Sequence, residues 1–353
     1  MIPFNYNQEK RQIIFGHPAV DAIDNNLSAE SSVNVWIIAS HRHDALIQKL
    51  NEIESVNILE HFSRVLQHVP QDQVQKARHT VAKLQPDIII AIGGGSAIGL
   101  AKAVALKHPI PVWALPTTYS GSEMTDIYGI SSTDKKMVGR DSRVTPQKVF
   151  YDPGLSLSLP FDTAAKSAVN ALAHLVEALY SPKINPFTKQ HVLEGLRILV
   201  NGLWNLIDKK SLSADINEEL LLGACYGGKA LAEAEMGLHH KCAHVLGGRY
   251  GLDHASVHTV LLPYVLDYQW DSLGDEIKDY FRSIFKSEYP PKMLKDIITD
   301  LGQPTSLIDI GFSMDNAGEA AEEISGLEFN NPAQFTSKAI LSLLEKAGTG
   351  DEL

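Results

Sequence analysis

Residues 86–106, PDIIIAIGGGSAIGLAKAVAL, leave the chain few folds to choose from. The run PDIIIAI over 86–92 is apolar and β-branched, the pattern of a strand buried on both faces. It passes directly into Gly93-Gly94-Gly95-Ser96 and then into a helix of small residues over 97–106. A buried strand, a glycine turn and a helix open a parallel βαβ unit. Without Cβ atoms the turn can approach a phosphate closely. The helix N-terminus adds unsatisfied N–H groups and the positive end of its dipole. Ser96 can contribute a hydroxyl. The spacing Gly93, Gly95, Gly99 departs from G-x-G-x-x-G, and a tight turn with no ligand would give the same sequence.

The rest of the first half follows this pattern. A short strand near Gln12–Phe15 leads through Gly16 to a capping helix. VNVWIIA, Val33–Ala39, reads as a second buried strand ended by Ser40. Helical spacing covers 43–53 and Gln71–Leu84. Strands are expected at 111–115 and 149–151. Thr117, Thr118, Ser120 and Ser122 follow the strand at 111–115, so their hydroxyls fit a second loop along one sheet edge, where a dinucleotide would lie. Such a cluster is also ordinary loop chemistry. Strands alternating with helices over this length imply a parallel sheet covered on both faces.

After Pro160 strand signals stop. Helices are expected at 162–180, 190–206, 217–238, 242–247, 256–268, 292–301, 316–324 and 332–347. Small residues in LLGACYGGKAL, 221–231, suit close helix contacts. Two domains follow: an α/β dinucleotide-binding domain over 1–155 and an all-helical catalytic domain over 156–353, with a ligand expected in the cleft between them.

The segment 236–258, MGLHHKCAHVLGGRYGLDHASVH, holds five of the chain's fourteen histidines. His240 and His244 are four apart and share a helix face, and His254 and His258 repeat the spacing. Asp253 suits the N-cap between the pairs. Converging imidazoles make a metal site, a proton relay or an anion pocket. In KSAVNALAHLVEALY, 166–180, Asn170, His174 and Glu177 lie on one face otherwise built of Ala and Leu, where polar groups must find partners.

With a net charge of −11, nucleic acid and anionic membranes are poor partners. Cys225 and Cys242 support neither a disulfide framework nor a zinc ribbon. No signal peptide or membrane-spanning run is evident, so a cytoplasmic protein is expected.

The blocks IGGGSAIGLAKA, PTTYSGSEMT, VNALAHLVEALY, LHHKCAHVLGGRYGLDHASVHTVLLPY and LGQPTSLIDIG resemble, in order, those of the iron-containing (group III) alcohol dehydrogenases. More narrowly, they resemble the maleylacetate-reducing members. The resemblance implies a Rossmann-like N-terminal domain with a parallel sheet, an all-α C-terminal domain and a homodimer. It implies reduction by NADH or NADPH of the C=C bond of a small dicarboxylate, maleylacetate, to 3-oxoadipate in aromatic catabolism. The family's metal ligands fall on Asn170, His174, His240 and His254, and a proton-transferring histidine falls on His244. Asn170 replaces an aspartate. A neutral amide is a poor donor to iron or zinc, so a divalent metal is not expected to be required.

On this resemblance His244 is the proton donor. His174, His240 and His254 form a positive, hydrogen-bonding cradle for an enolate or carboxylate. Lys241, Arg140 and Arg143 are candidates for the substrate carboxylates, arginine being suited to bidentate pairing. Lys136 matches a lysine that approaches the cofactor. Ser40 ends the first dinucleotide-domain strand with His41 and Arg42 behind it. No acidic residue there repels a 2′-phosphate, so both cofactors are expected to work. The rival readings are a metal-dependent alcohol dehydrogenase, an NAD-using lyase of the dehydroquinate-synthase kind, and a non-catalytic nucleotide-binding protein of the same fold.

Overall fold

The computed structural model describes residues 4, 6, 10–30, 32–132 and 136–353, the Lys136 side chain apart. The chain divides into two compact units, Met1–Leu159 and Pro160–Leu353.

In chain order the first unit contains β1 (Gln12–Phe15), α1 (Ala19–Leu27), β2 (Val33–Ala39), α2 (Asp44–Asn51), β3 (Val56–Phe62), α3 (Gln71–Leu84), β4 (Ile88–Gly93), α4 (Gly95–Ala105), β5 (Val112–Pro116), β6 (Ile127–Ser131), β7 (Lys136–Arg140) and β8 (Lys148–Tyr151). Period-two alternation sorts its apolar side chains onto two faces. Val35, Ile37 and Ala39 of β2 join Ile88, Ile90 and Ile92 of β4 and Ile23 of α1 in one core. Trp36, Ile38, Ile89 and Ala91 join Val74 and Val81 of α3 and Ile98 of α4 in the other. Trp36, Ile37 and Ile38 are fully buried, and each contributes roughly 1.5–3 kcal/mol of transfer free energy.

The main sheet is six-stranded and parallel, in the order β1-β8-β5-β4-β2-β3. From β2 the chain moves outward to β3, and from β4 it moves the other way to β5. The strand order therefore reverses between β2 and β4, and ligands of open α/β sheets bind at the carboxyl ends beside such a reversal. Ala39 pairs with Ile92 and Gly93 with Pro116, so the turns after β2, β4 and β5 leave the sheet side by side.

Two elements here were not expected from sequence. VNILEHF forms edge strand β3, half exposed along its length and hence polar in composition. β6 and β7 form an antiparallel hairpin, so the segment carrying Lys136 and Arg140 is a strand and not a loop.

The second unit is helical: α5 (Phe161–Leu179), α6 (Pro186–Lys209), α7 (Ala214–Glu233), α8 (Leu238–Tyr250), α9 (His254–Trp270), α10 (Asp275–Phe285), α11 (Pro290–Asp300), α12 (Ala317–Ser325) and α13 (Ser337–Thr349). Its small residues set close helix approaches. A Cβ on Gly223 of α7 would lie 2.6 Å from the Leu199 Cβ of α6, and one on Gly227 would lie 3.0 Å from the Ala171 carbonyl of α5. The helix expected over 217–238 stops at Glu233. The backbone turns extended at Ala234, and α8 starts afresh at Leu238 after the N-cap Gly237, four residues before the expected start at Cys242. The last helix starts at Ser337 and not at Pro332, with Thr336 as its cap. α10 had no expected counterpart. Among the described residues no helix is long and apolar enough to cross a membrane.

Candidate active site

The glycine turn after β4 is tight for a reason visible in the backbone. Gly93 has φ +148°, a region open to glycine and hardly to other residues. A Cβ on Gly94 would sit 2.8 Å from Thr118 Oγ1 and 3.0 Å from its Cγ2. A Cβ on Gly95 would make only ordinary contacts, 3.5 Å from Ser120. The Thr117 N–H donates to the Gly93 carbonyl at 3.1 Å. The two clusters expected from sequence, Gly93–Ser96 and Thr117–Ser122, thus pack against each other at the sheet's carboxyl edge. α4 begins at Gly95; the Ala97 and Ile98 N–H groups donate to the Gly94 carbonyl, and the N–H groups of Gly95 and Ser96 have no helical partner at that edge. The buried Lys102 of α4 donates to the Ser122 carbonyl at 2.7 Å and to Thr125 Oγ1 at 2.9 Å, which pins the second loop. Sequence reading passed over Lys102, whose one signal was a lone charge in a helix of small residues. Ser40 leaves β2 beside this turn with a buried hydroxyl that has no protein partner. These features fit the pyrophosphate and adenosine ribose of a dinucleotide.

In the second unit, six imidazoles on three helices come together. His174 is on α5, His239, His240 and His244 are on α8, and His254 and His258 are on α9, which Asp253 caps by accepting from the Ser256 N–H at 3.0 Å. Ring centroids lie 5.2 Å apart for His174 and His240, 4.7 Å for His240 and His258, 4.4 Å for His254 and His258, and 5.9 Å for His244 and His254. His239 Nε2 and His258 Nδ1 share a proton at 2.8 Å. His239 was absent from the expected site; the HH doublet was its only signal.

Glu177, one turn after His174 on α5, organises this cluster. Its carboxyl accepts the backbone N–H groups of His239 at 2.7 Å and His240 at 3.3 Å, and it makes a short contact with His240 Nδ1. Burial pushes the Glu177 carboxyl up to about 8, against the stabilising pull of those backbone donors. Burial also holds His240 well below the usual imidazole value. The pair is therefore neutral near pH 7, with the carboxyl O–H donating to the His240 Nδ1 lone pair and the ring hydrogen on Nε2. That Nε2 is buried and has no protein partner, and the same holds for Asn170 Oδ1 and His174 Nδ1.

The expectation of a positive cradle is corrected here. Burial lowers His174 to about 4 and His239 to about 3, and it depresses His258 as well. These rings are hydrogen-bonding groups without charge.

The donor set Asn170, His174, His240 and His254 does not fit a tightly held divalent ion. It has no carboxylate, and among the described residues no trio of these histidines brings its donor atoms within 4.8 Å of one another.

The expected substrate cations fare unevenly. Arg140 is paired with Asp126 at 2.8 Å and Arg143 with Asp141 at 2.6 Å, so each already has a carboxylate. Lys241 follows His240 on α8, 5.9 Å from the Phe329 ring centroid. The Lys136 side chain lies outside the described residues.

Comparison with known proteins gives concordant results. The sequence pattern of the iron-containing alcohol dehydrogenases matches residues 10–153, and that of the C-terminal part of the Fe-containing alcohol dehydrogenase family matches residues 164–348. The maleylacetate reductase of Burkholderia cepacia is 34% identical over 352 residues, covering 99% of each chain. Maleylacetate reductase 1 of Rhodococcus opacus is 33% identical, covering 99% of this chain and 97% of its own. Among solved structures, the maleylacetate reductase of Rhizobium sp. strain MTP-10005 superposes with a TM-score of 0.92 at 30% identity, covering 100% of both chains. An iron-containing alcohol dehydrogenase from Corynebacterium glutamicum superposes at 0.93 and 31%, covering 100% of this chain and 98% of its own.

Proposed function

The chain belongs to the iron-containing alcohol dehydrogenase family, and from that premise we infer that it is an NAD(P)H-dependent reductase of the C=C bond of maleylacetate, forming 3-oxoadipate. The observation that carries this reading is the uncharged imidazole cluster with an amide, Asn170, in place of an acidic ligand. It is a site suited to an oxyanion and a proton and poorly suited to a hard cation. The curated relatives named maleylacetate reductase support it.

Bound NADH or NADPH supplies a hydride to the alkene carbon remote from the ketone. The π electrons move onto the ketone oxygen as an enolate, and a proton then adds to the neighbouring carbon, so one hydride and one proton saturate the bond. The backbone of Gly93, Gly94, Gly95 and Ser96, with the hydroxyls of Thr117, Thr118, Ser120 and Ser122, holds the pyrophosphate. Ser40 meets the ribose, and His41 and Arg42 beside it admit a 2′-phosphate, the Asp44 carboxylate at this turn being paired with His41. His240, with its proton on Nε2, donates to the enolate oxygen, and His174 and His254 complete the hydrogen-bonding wall. His244 delivers the proton. Lys241 is the better candidate for a substrate carboxylate, since Arg140 and Arg143 are already matched by aspartates. No metal enters any step. A cytoplasmic homodimer accords with the family and with the buried thiols Cys225 and Cys242.

The test follows oxidation of NADH and NADPH with maleylacetate and with simple aldehydes, before and after chelator treatment, for the wild type and His244→Ala. Maleylacetate should be reduced with both cofactors, one equivalent each, unaffected by chelation. His244→Ala should lower kcat by about 10²–10⁴-fold while cofactor affinity is retained. Aldehyde turnover that depends on added iron would replace this reading with metal-dependent alcohol chemistry. A lack of turnover with NADPH would refute the cofactor assignment.

A further inference from the structure

His41, Asp44 and His61 stand at the carboxyl ends of β2 and β3 in the first unit. β2 ends at Ala39, a single 3-10 turn carries His41, and α2 begins at Asp44. His61 sits near the end of the neighbouring strand, paired with Ile37. Its Nε2 lies 2.9 Å from the Ala39 carbonyl. A carbonyl can only accept, so Nε2 carries the hydrogen of this bond and Nδ1 is left for another partner. His61 Nδ1 lies 3.8 Å from Asp44 Oδ1, while Asp44 Oδ2 lies 3.3 Å from His41 Nδ1. The three donor atoms all lie within 4.8 Å of one another, and among the described residues no other trio of His, Cys, Asp or Glu side chains does so.

Two imidazole nitrogens and a carboxylate gathered this way can share a cation. Tetrahedral coordination at bond lengths of roughly 2.0–2.2 Å puts neighbouring ligands about 3.3–3.6 Å apart; the two His–Asp spacings, 3.3 and 3.8 Å to the two oxygens of Asp44, are close to that, and an ion would draw the three side chains together from within 4.8 Å. An imidazole that gives its second nitrogen to a backbone carbonyl is also the usual support for a metal-bound histidine. Two imidazoles and one carboxylate suit a borderline ion better than calcium or magnesium.

We propose that His41, Asp44 and His61 bind a divalent first-row transition ion, of the zinc or nickel class, that ties the turn after β2 to edge strand β3. None of its donors belongs to the imidazole cluster, and His41 follows Ser40, which the reductase reading assigns to the cofactor ribose, so Zn²⁺ binding is measured here without cofactor.

The test is Zn²⁺ titration by calorimetry on tag-free, chelator-stripped full-length protein. Wild type is compared with His61→Gln, Asp44→Asn and His41→Gln, and with His240→Gln as the control for the helical unit. Wild type should bind one Zn²⁺ that His240→Gln retains. Each of the three β2–β3 variants should lose that equivalent or weaken it at least tenfold. His41 is 75% exposed at its side chain, so its replacement leaves the fold intact and keeps the test decisive if His61→Gln is unstable. Unchanged stoichiometry and affinity in His41→Gln and Asp44→Asn would overturn the proposal, as would loss of the equivalent in His240→Gln alone. Failure of wild type to bind Zn²⁺ would overturn it too.

Discussion

Gly94→Ala isolates the phosphate turn from everything else in the chain. Gly94 has φ −83° and extended ψ, geometry that alanine adopts without strain. Its effect must therefore come from the added Cβ. That atom would stand 2.8 Å from Thr118 Oγ1 and 3.0 Å from Thr118 Cγ2, and a short β-branched side chain has little room to turn away. Overpacking of this kind costs about 1–3 kcal/mol. The turn can relieve the contact only by moving the N–H groups that would face the pyrophosphate. A hydrogen bond to a charged group contributes about 1.5–3 kcal/mol, so losing one should raise the cofactor KM and Kd by about 10- to 100-fold. Three proteins give the measurement: Gly94→Ala, the double variant Gly94→Ala/Thr118→Ala, and Gly95→Ala. Stability comes from urea unfolding, and cofactor Kd from quenching of protein fluorescence. Gly94→Ala should lose both stability and affinity. Removing the Thr118 side chain should return most of the stability, and less of the affinity because the Thr118 hydroxyl assigned to the pyrophosphate is lost with it. Gly95→Ala, at 3.5 Å from Ser120, should keep its stability. Wild-type cofactor affinity in Gly94→Ala would refute the assignment of this turn to phosphate binding.

Glu177→Gln should cost less than about 1.5 kcal/mol, because an amide can accept from His239 N–H and donate to His240 Nδ1 as the neutral carboxyl does. Glu177→Ala should cost about 3 kcal/mol or more by leaving those donors buried without a partner. Equal losses in the two variants would mean an ionised carboxylate. Stability of the helical unit should peak near pH 6.5. The depressed imidazoles of His174 (about 4) and His239 (about 3) contribute stability above the unfolded value of 6.5 that is lost as pH falls. The carboxyl of Glu177, raised to about 8 from 4.5, contributes stability below 4.5 that is lost as pH rises through 8. At about 1.4 kcal/mol per pH unit per fully titrating group, and with the unfolded histidines only half protonated at 6.5, the two histidines lose about 2 kcal/mol between pH 6.5 and 5.5 and Glu177 returns about 1. Urea midpoints that rise steadily from pH 5.5 to 8 would contradict this balance. Asn170→Asp should retain more Fe²⁺ or Zn²⁺ after dialysis than wild type and melt earlier when stripped, since its new charge is buried where Oδ1 now has no protein partner. Unchanged metal content by elemental analysis would show that this face is no ligand cage.

Sequence disclosed those parts of the fold that short-range physics fixes. β2, β4 and the glycine turn are written in consecutive residues, because a strand covered on both faces must be apolar throughout and the turn needs residues without Cβ. The Asp253 cap was legible for the same reason. β3 was not, because an edge strand shows alternating polarity over too few residues to separate it from a loop. The hairpin of β6 and β7 brings Asp126 onto Arg140, and nothing local in VGRDSRVTP predicts that a residue fourteen positions away neutralises that arginine. The helix break over 234–237 was hidden because the residues on both sides favour helix.

The histidine pairs were legible as spacing, and their protonation was not. Charge depends on how deeply three helices bury the rings, which no window of sequence contains. His174, His239, His240 and His258 are each held neutral chiefly by burial. A core built only for stability would place leucine at such positions, since each buried polar atom without a partner costs about 1–3 kcal/mol. Five atoms here, Asn170 Oδ1, His174 Nδ1, His239 Nδ1, His240 Nε2 and His258 Nε2, find no partner within the protein. Their partners must come from outside the chain, as water or as substrate. A substrate oxygen that gathers negative charge during reduction would meet unspent hydrogen-bonding capacity at the moment it is needed, without having to displace a counter-charge first.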